Sequence, residues 1–193
     1  MKKPLLPLGL LLALASVHAA HAQPESAYYG LSFGELDYTD EIVQDRLFSD
    51  SVSAWHLMVG YQFLEHLAVE GAYGKSSTIR NTQSLQVFSP DFEDVEFVTE
   101  LERILTIRLV GVLPFDNGIS LLAGIGYADT KQDVLFSASG VPILGGEASD
   151  NHPAYYAGVQ YDWDRIALRL GYEKYDMDFA DAKETSITFF YKL

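Results

Sequence analysis

The chain has 193 residues, 27 acidic against 13 basic side chains, a net charge of −14 and no cysteine, which excludes a disulfide framework and a lipid-modified cysteine. The acidity also excludes a nucleic-acid partner, which requires a basic footprint. Yet 48% of the residues are apolar and 13% aromatic, a content that suits either a core-and-surface protein or a barrel with an apolar exterior, so residue order has to decide.

The first element is an export signal. Lys2 and Lys3 precede an apolar run over 5–15, and Ala20-His21-Ala22 offers the small-x-small pattern of a cleavage site. Residues 1–22 are therefore expected to be a cleaved secretory signal peptide, too short to span a bilayer as a helix. The remainder, 23–193, is expected to be one domain of about 171 residues. Losing Lys2 and Lys3 leaves 11 basic residues against 27 acidic ones, a net charge of −16. No later run approaches the ~20 apolar residues of a membrane helix.

Beyond the signal, period-two alternation recurs in eight segments: 27–38, 52–63, 67–78, 97–113, 119–129, 153–163, 165–176 and 184–193. Such alternation marks strands with two unlike faces. One face is large and apolar, as in Tyr29/Leu31/Phe33, Leu57/Val59/Tyr61/Phe63, Leu105/Ile107/Leu109 and Ile166/Leu168/Leu170/Tyr172. The other is small or polar, as in Gly30/Ser32/Gly34, Glu70/Ala72/Gly74, Ser120/Gly124/Gly126 and Arg169/Gly171/Glu173. Turned to water, the glycine-rich face gains nothing; turned inward, it lets eight strands close tightly around a few charged side chains. The apolar face then meets lipid, and a spanning sheet has to close because unpaired edge groups are not tolerated there. The expected fold is all-β, an eight-stranded antiparallel up-and-down transmembrane β-barrel.

The connections alternate in length. Residues 64–66, 114–118 and 164 form short turns, while 39–51, 77–96, 130–152 and the shorter 177–183 are expected to be loops on the opposite side. In an outer-membrane barrel the short turns lie in the periplasm, which puts both ends of the domain there. Tyr29, Phe63, Phe115, Trp163 and Tyr191 then fall at the periplasmic interface, and Trp55, Tyr73, Phe97, Tyr127 and Tyr155 at the outer one, the depth that amphipathic rings favour.

Several short stretches resemble a known family: Ala27-Tyr28-Tyr29-Gly30-Leu31-Ser32-Phe33-Gly34, Val59-Gly60-Tyr61-Gln62-Phe63, Leu121-Leu122-Ala123-Gly124-Ile125-Gly126-Tyr127 and Tyr156-Ala157-Gly158-Val159-Gln160-Tyr161. In order and spacing they look like the eight-stranded outer-membrane β-barrels that include the OmpA barrel domain and OmpX-like proteins. The closing run, with Ile187, Phe189, Tyr191 and Leu193 on one parity, resembles the assembly signal read by the barrel-assembly machinery. Leu193 stands where the family usually has Phe. The resemblance also leads us to expect no periplasmic peptidoglycan-binding domain.

Five charged residues, Glu70, Arg108, Arg169, Glu173 and Lys192, take the inward parity. Isolated ions in a closed interior are costly, so they are expected to pair into a plug; the alternative is a gated, porin-like narrow channel. Lys75, Arg103 and Lys174 take the outward parity near the outer interface, a candidate lipopolysaccharide contact through phosphate, the alternative being simple snorkelling. Acidic residues gather in the expected outer loops, with Asp40, Glu41, Asp45 and Asp50 in the first and Asp91, Glu93, Asp94 and Glu96 in the second. Asp176, Asp178, Asp181 and Glu184 flank the last, but no spacing specifies a metal site. Outside the signal the histidines are His56, His66 and His152. His66 is expected in a turn and His152 in a long loop, and no Ser-His-acid pattern emerges. The expectation is a non-enzymatic protein with no catalytic residue, cofactor or metal. Its expected partners are outer-membrane lipid and lipopolysaccharide, the assembly machinery and an extracellular ligand held by the loops.

Overall fold

The computed structural model describes residues 26–43, 46–83, 95–138, 141–177 and 180–193. The expected signal segment, 1–22, lies outside these residues, as do parts of the expected loops. Nine strand segments run in chain order: β1 (Ser26–Val43), β2 (Arg46–Leu64), β3 (Leu67–Ser76), β4 (Ile79–Gln83), β5 (Val95–Pro114), β6 (Ile119–Ala138), β7 (Val141–Trp163), β8 (Ile166–Asp176) and β9 (Ala180–Lys192). Every pairing is antiparallel. β1 pairs with β9, and β3 pairs with both β2 and β5, which closes the sheet. β3 and β4 lie in turn along the same neighbour, β5, so the nine segments make eight staves with the third interrupted at Ser77 and Thr78. Among the described residues there is no helix.

The strands reach further than alternation of apolar residues indicated. Stretches expected as loops are paired backbone: β1 and β2 continue to Val43↔Arg46, and β6 and β7 to Ala138↔Val141. Hairpin pairing satisfies the backbone whatever the side chains, so the ladder persists beyond lipid where apolar alternation fades. From Tyr127 the β6 strand rises a further eleven residues to Ala138, roughly 35 Å of extended chain.

At the opposite end the turns are tight. In the β5–β6 turn Gly118 has φ +80°, and the backbone N–H of Phe115 donates to the Ile119 carbonyl at 2.8 Å. Between β7 and β8, Trp163 pairs with Ile166 and Asp164 has φ 52°. Asp is among the few residues with a side chain that visit this left-handed region at low cost.

Across the membrane belt the outward parity is the apolar one. Phe33, Leu57, Val59, Ile107, Leu170 and Phe189 are all exposed, with Trp163, at 75%, the most open aromatic side chain among the described residues. The inward parity is buried and is packed by a volume rule: a large inward side chain stands beside a glycine on the adjacent strand. Tyr28 pairs with Gly60, Phe190 with Gly30, His56 with Gly74 and Arg108 with Gly126. A Cβ on any of these four glycines would overlap its partner's ring or stem. Toward the outer end the filling changes to an apolar layer that includes Leu36, Tyr38, Val52, Leu101, Ile104 and Met177.

This packing separates inward from outward glycines. Gly60→Ala is expected to cost about 1–3 kcal/mol, as overpacking does. Gly71→Ala faces outward with no neighbour nearer than 3.7 Å, and is expected to change stability by less than about 0.5 kcal/mol. Urea unfolding of the two variants in lipid vesicles, read by the heat-dependent gel shift, tests the difference; equal costs would refute the volume rule.

Candidate functional site

The charged residues of inward parity converge at mid-barrel because β3, β5 and β8 carry them at matched heights. Glu70 on β3 is directly opposite Arg108 on β5, and Arg169 on β8 sits opposite Gln160 on β7. Glu70 is the centre. Its Oε2 accepts from Arg108 Nε at 2.9 Å and lies 2.8 Å from Nη2, while its Oε1 accepts from Arg169 Nη1 at 2.7 Å and from the Tyr28 hydroxyl at 2.5 Å. Arg108 Nη1 also donates to Glu173 Oε2 at 2.8 Å, and Arg169 Nε to Gln160 Oε1 at 2.9 Å.

Aromatic rings complete the shell. The Arg108 guanidinium lies 3.9 Å from the Tyr156 ring centroid, and that of Arg169 lies 4.3 Å from Phe190. Both arginines are 5% exposed or less, so every charge here is desolvated. Desolvation costs several kcal/mol per ion, and only bidentate pairing with full hydrogen bonding offsets it.

The network extends both ways along the bore. Toward the periplasm, Gln160 Nε2 donates to Asp162 Oδ1 at 2.8 Å, and Lys192 Nζ stands 2.7 Å from the same oxygen. Lys192 is thus inward, as its parity predicts, but it pairs with Asp162 at the rim and not with the central glutamates. Toward the outside, His56 Nε2 is 2.8 Å from Glu184 Oε2, which also accepts from the Tyr175 hydroxyl at 3.3 Å. Between the two levels lies a void of about 10 Å³ bordered by Ser32, His56, Arg108, Tyr156 and Glu173, room for about one water.

Two placements correct the sequence reading. Glu184, expected beside an exposed acidic loop, is 2% exposed inside the barrel. His152, expected in a long loop, sits in β7, equally buried, with its ring edge-on to Tyr175. Both follow from strand pairing that continues past the apolar stretches and carries the inward parity with it. Of the other histidines, His56 is buried and engaged by Glu184, while His66 is half-buried in the turn region with its Nδ1 3.2 Å from the Val112 carbonyl.

The three outward cations do not form one group. Arg103 pairs with Asp129, while Lys174 lies 3.5 Å from Asp181 and 3.8 Å from Asp176 on the far side of the sheet. Lys75 follows Gly74, whose partner is Ile104, so it rises beside Arg103; among the described residues it has no ion pair. Above them Lys131 bridges Glu102 at 3.1 Å and Glu147 at 3.0 Å, which holds its ammonium above the usual range. Hydrogen bonding to Lys131 in turn holds the Glu102 carboxyl below the usual one. No group of three or more metal-ligating side chains occurs among the described residues. Among the terminal residues of outward parity, Ile187, Phe189, Tyr191 and Leu193 form an exposed apolar edge on β9, with Leu193 N–H donating to the Ala27 carbonyl at 2.9 Å.

Sequence reasoning missed the aromatic shell. Tyr28, Tyr156 and Phe190 were readable as inward aromatics, each next in the chain to an outward one. All three also face a glycine across the ladder, Tyr156 facing Gly124.

A closed antiparallel barrel with an apolar belt outside and buried ions inside defines an integral outer-membrane protein. The chain belongs to the outer membrane protein beta-barrel domain family, whose sequence model matches residues 8–192. Solved structures with the same fold include the Yersinia pestis attachment invasion locus protein Ail (TM-score 0.55, 17% identity, covering 86% of this chain and 99% of that one). Neisserial surface protein A is similar at TM-score 0.61 and 12% identity over 89% of this chain and all of that one. The N-terminal barrel domain of Pseudomonas aeruginosa OprF is similar at TM-score 0.53 and 11% identity over 89% and 100%. No curated protein matches in sequence.

Arg108→Ala strands Glu173 and leaves Glu70 with one of its two arginines in a desolvated bore, and is expected to cost about 3–5 kcal/mol. Combining Arg108→Met with Glu173→Gln removes both charges of one pair and is expected to recover part of that loss. Urea midpoints of the refolded variants check both; an unaffected Arg108→Ala protein would deny the network its structural role.

Proposed function

We propose that the protein is a non-enzymatic surface-interaction barrel, a sealed membrane anchor that carries β-arms outward from the outer leaflet. One observation carries this reading: the bore is filled by the Glu70–Arg108–Arg169 network and capped by the apolar layer around Leu36 and Leu101. An eight-stranded barrel has room only for such filling, so function passes to what the scaffold holds outside. The β1–β2 and β6–β7 ladders extend there. The chain therefore serves envelope integrity or adhesion, after export and removal of residues 1–22.

The histidine placements favour this over a lipid-modifying enzyme. None of the three stands beside a hydroxyl nucleophile that lipid could reach, the arrangement such chemistry needs. The narrow-channel reading requires the network to part, and no observation favours that.

Electrostatics narrows the ligand. Ail has been solved in complex with the heparin analogue sucrose octasulfate, a polyanion. The outer strands of this chain carry Glu100, Glu102, Asp133, Glu147 and Asp150 against Lys131 and Arg103, within a chain of net charge −14. A basic partner suits that surface and a sulfated glycan does not. Lys75 and Arg103, at the level of Trp55 and Tyr127, are read as contacts for lipopolysaccharide phosphate, and the outward β9 edge ending in Leu193 as the assembly signal.

The test is proteoliposomes carrying either the whole protein or a variant in which residues 133–147 are replaced by Asn-Gly, closing the Gln132↔Ala148 rung. The whole protein should adhere to a surface coated with a basic protein, lose that adhesion with added salt, and ignore immobilised heparin. The shortened one should keep its gel shift and lose adhesion. Heparin binding, or adhesion that survives the shortening, would sink the proposal. In planar bilayers the protein is expected to show no conductance steps; steady channels that vanish with Arg108→Ala would favour the channel reading.

A further inference from the structure

We propose that the outer wall of the barrel holds an acyl-chain seat at Gly71, used by a phosphorylated, multiply acylated lipid of the outer leaflet. The proposal deepens, and in part rests on, the reading of Lys75 and Arg103 as contacts for lipid phosphate.

The belt of outward side chains is interrupted at β3. Gly71 lies between Val59 on β2 and Ile107 on β5, and a Cβ placed there would meet Val59 Cγ2 only at 3.7 Å and the Thr106 carbonyl at 3.9 Å. Packing within the chain therefore does not require glycine at this position, unlike Gly60 or Gly74 on the inner face. What the missing side chain leaves is a groove of about 650 Å³, walled by Val59, Val69, Leu105 and Ile107 and reaching Tyr127 and Asp129 at its upper end. Its volume lies within the range of small-molecule sites, and its walls are almost wholly hydrocarbon.

The upper end is charged and lies at the aromatic girdle. Asp129 is paired with Arg103. Lys75 stands beside Arg103 and shares a rung with Trp55, whose ring meets that of Tyr73 edge-on at 6.5 Å. Asp129 offsets Arg103, and Glu102 and Glu147 are taken up by Lys131. This leaves the Lys75 ammonium without an ion pair among the described residues at the level where lipid phosphates lie, and an ammonium there binds phosphate through charge-assisted hydrogen bonds. An apolar groove that starts below Lys75 and Arg103 matches one molecule with a phosphate above and a flexible chain below. A second copy of this chain does not match, because it would bring its own acidic outer strands against Asp129.

The experiment uses protein refolded free of lipopolysaccharide and titrated in detergent with diphosphoryl hexa-acyl lipid A, with retained lipid counted by native mass spectrometry. The unaltered protein should retain one lipid A. Gly71→Leu fills the groove and should weaken retention about tenfold, the effect of denying burial to two or so methylenes. Gly111→Leu, also outward but outside the groove, should not. The fully deacylated diphosphoryl disaccharide should bind the unaltered and Gly71→Leu proteins alike. If Gly71→Leu does not refold, Gly71→Ala is read in the same way, with a loss of about threefold. Equal retention by the unaltered protein and the groove-filling variant overturns the seat, as does an equal fall in Gly71→Leu and Gly111→Leu. The phosphate reading fails separately if Lys75→Ala/Arg103→Ala retains lipid A undiminished while Gly71→Leu does not.

Discussion

The structure depends on the burial of Glu70 between two arginines. A sheet that turns its large apolar side chains to lipid has to fill its own bore with the opposite parity, and that parity carries ions. Glu70 is accepted there because Arg108, Arg169 and the Tyr28 hydroxyl together satisfy its oxygens, while rings cover the guanidinium faces. Remove either arginine and the carboxylates lose half or all of their compensation in a medium that penalises buried charge by several kcal/mol. The ion cluster thus ties the β3–β5 pair to the β7–β8 pair and to β1, three parts of the sheet that share no backbone bonds with one another.

Space for this cluster comes from the glycines. Tyr28 needs Gly60, Phe190 needs Gly30 and Arg108 needs Gly126, so the residues that look least informative set which side chains can point inward. The same absence of a side chain means something different on the outer wall, where Gly71 relieves no clash and opens a groove instead. With the interior sealed, the binding we propose falls on the outer wall and the arms. In that proposal their charge pattern favours a basic partner over a polyanion.

Fold class was legible because a parity error is expensive: one slip in register would put Ile107 and Leu109 in the bore and Arg108 in lipid. That is why eight alternating segments, three tight turns and the inward placement of Glu70, Arg108, Arg169 and Glu173 could be read directly. The strand ends could not be read so, since hairpin ladders past the membrane need no apolar pattern. His152 and Glu184 were misplaced for that reason alone. The partner of Lys192 was also beyond reach, because Asp162 comes to its side only when β9 and β7 flank β8.

By itself, then, the order of residues determined which face meets lipid and which residue types are enclosed, because a period of two admits only two faces and a desolvated charge tolerates only one of them. Tertiary structure alone decided who pairs with whom across the bore, which rings cover which guanidinium, and that Gly71 opens a groove beneath Arg103 and Lys75. Those depend on the register of all eight staves at once, a closure condition that no single segment contains.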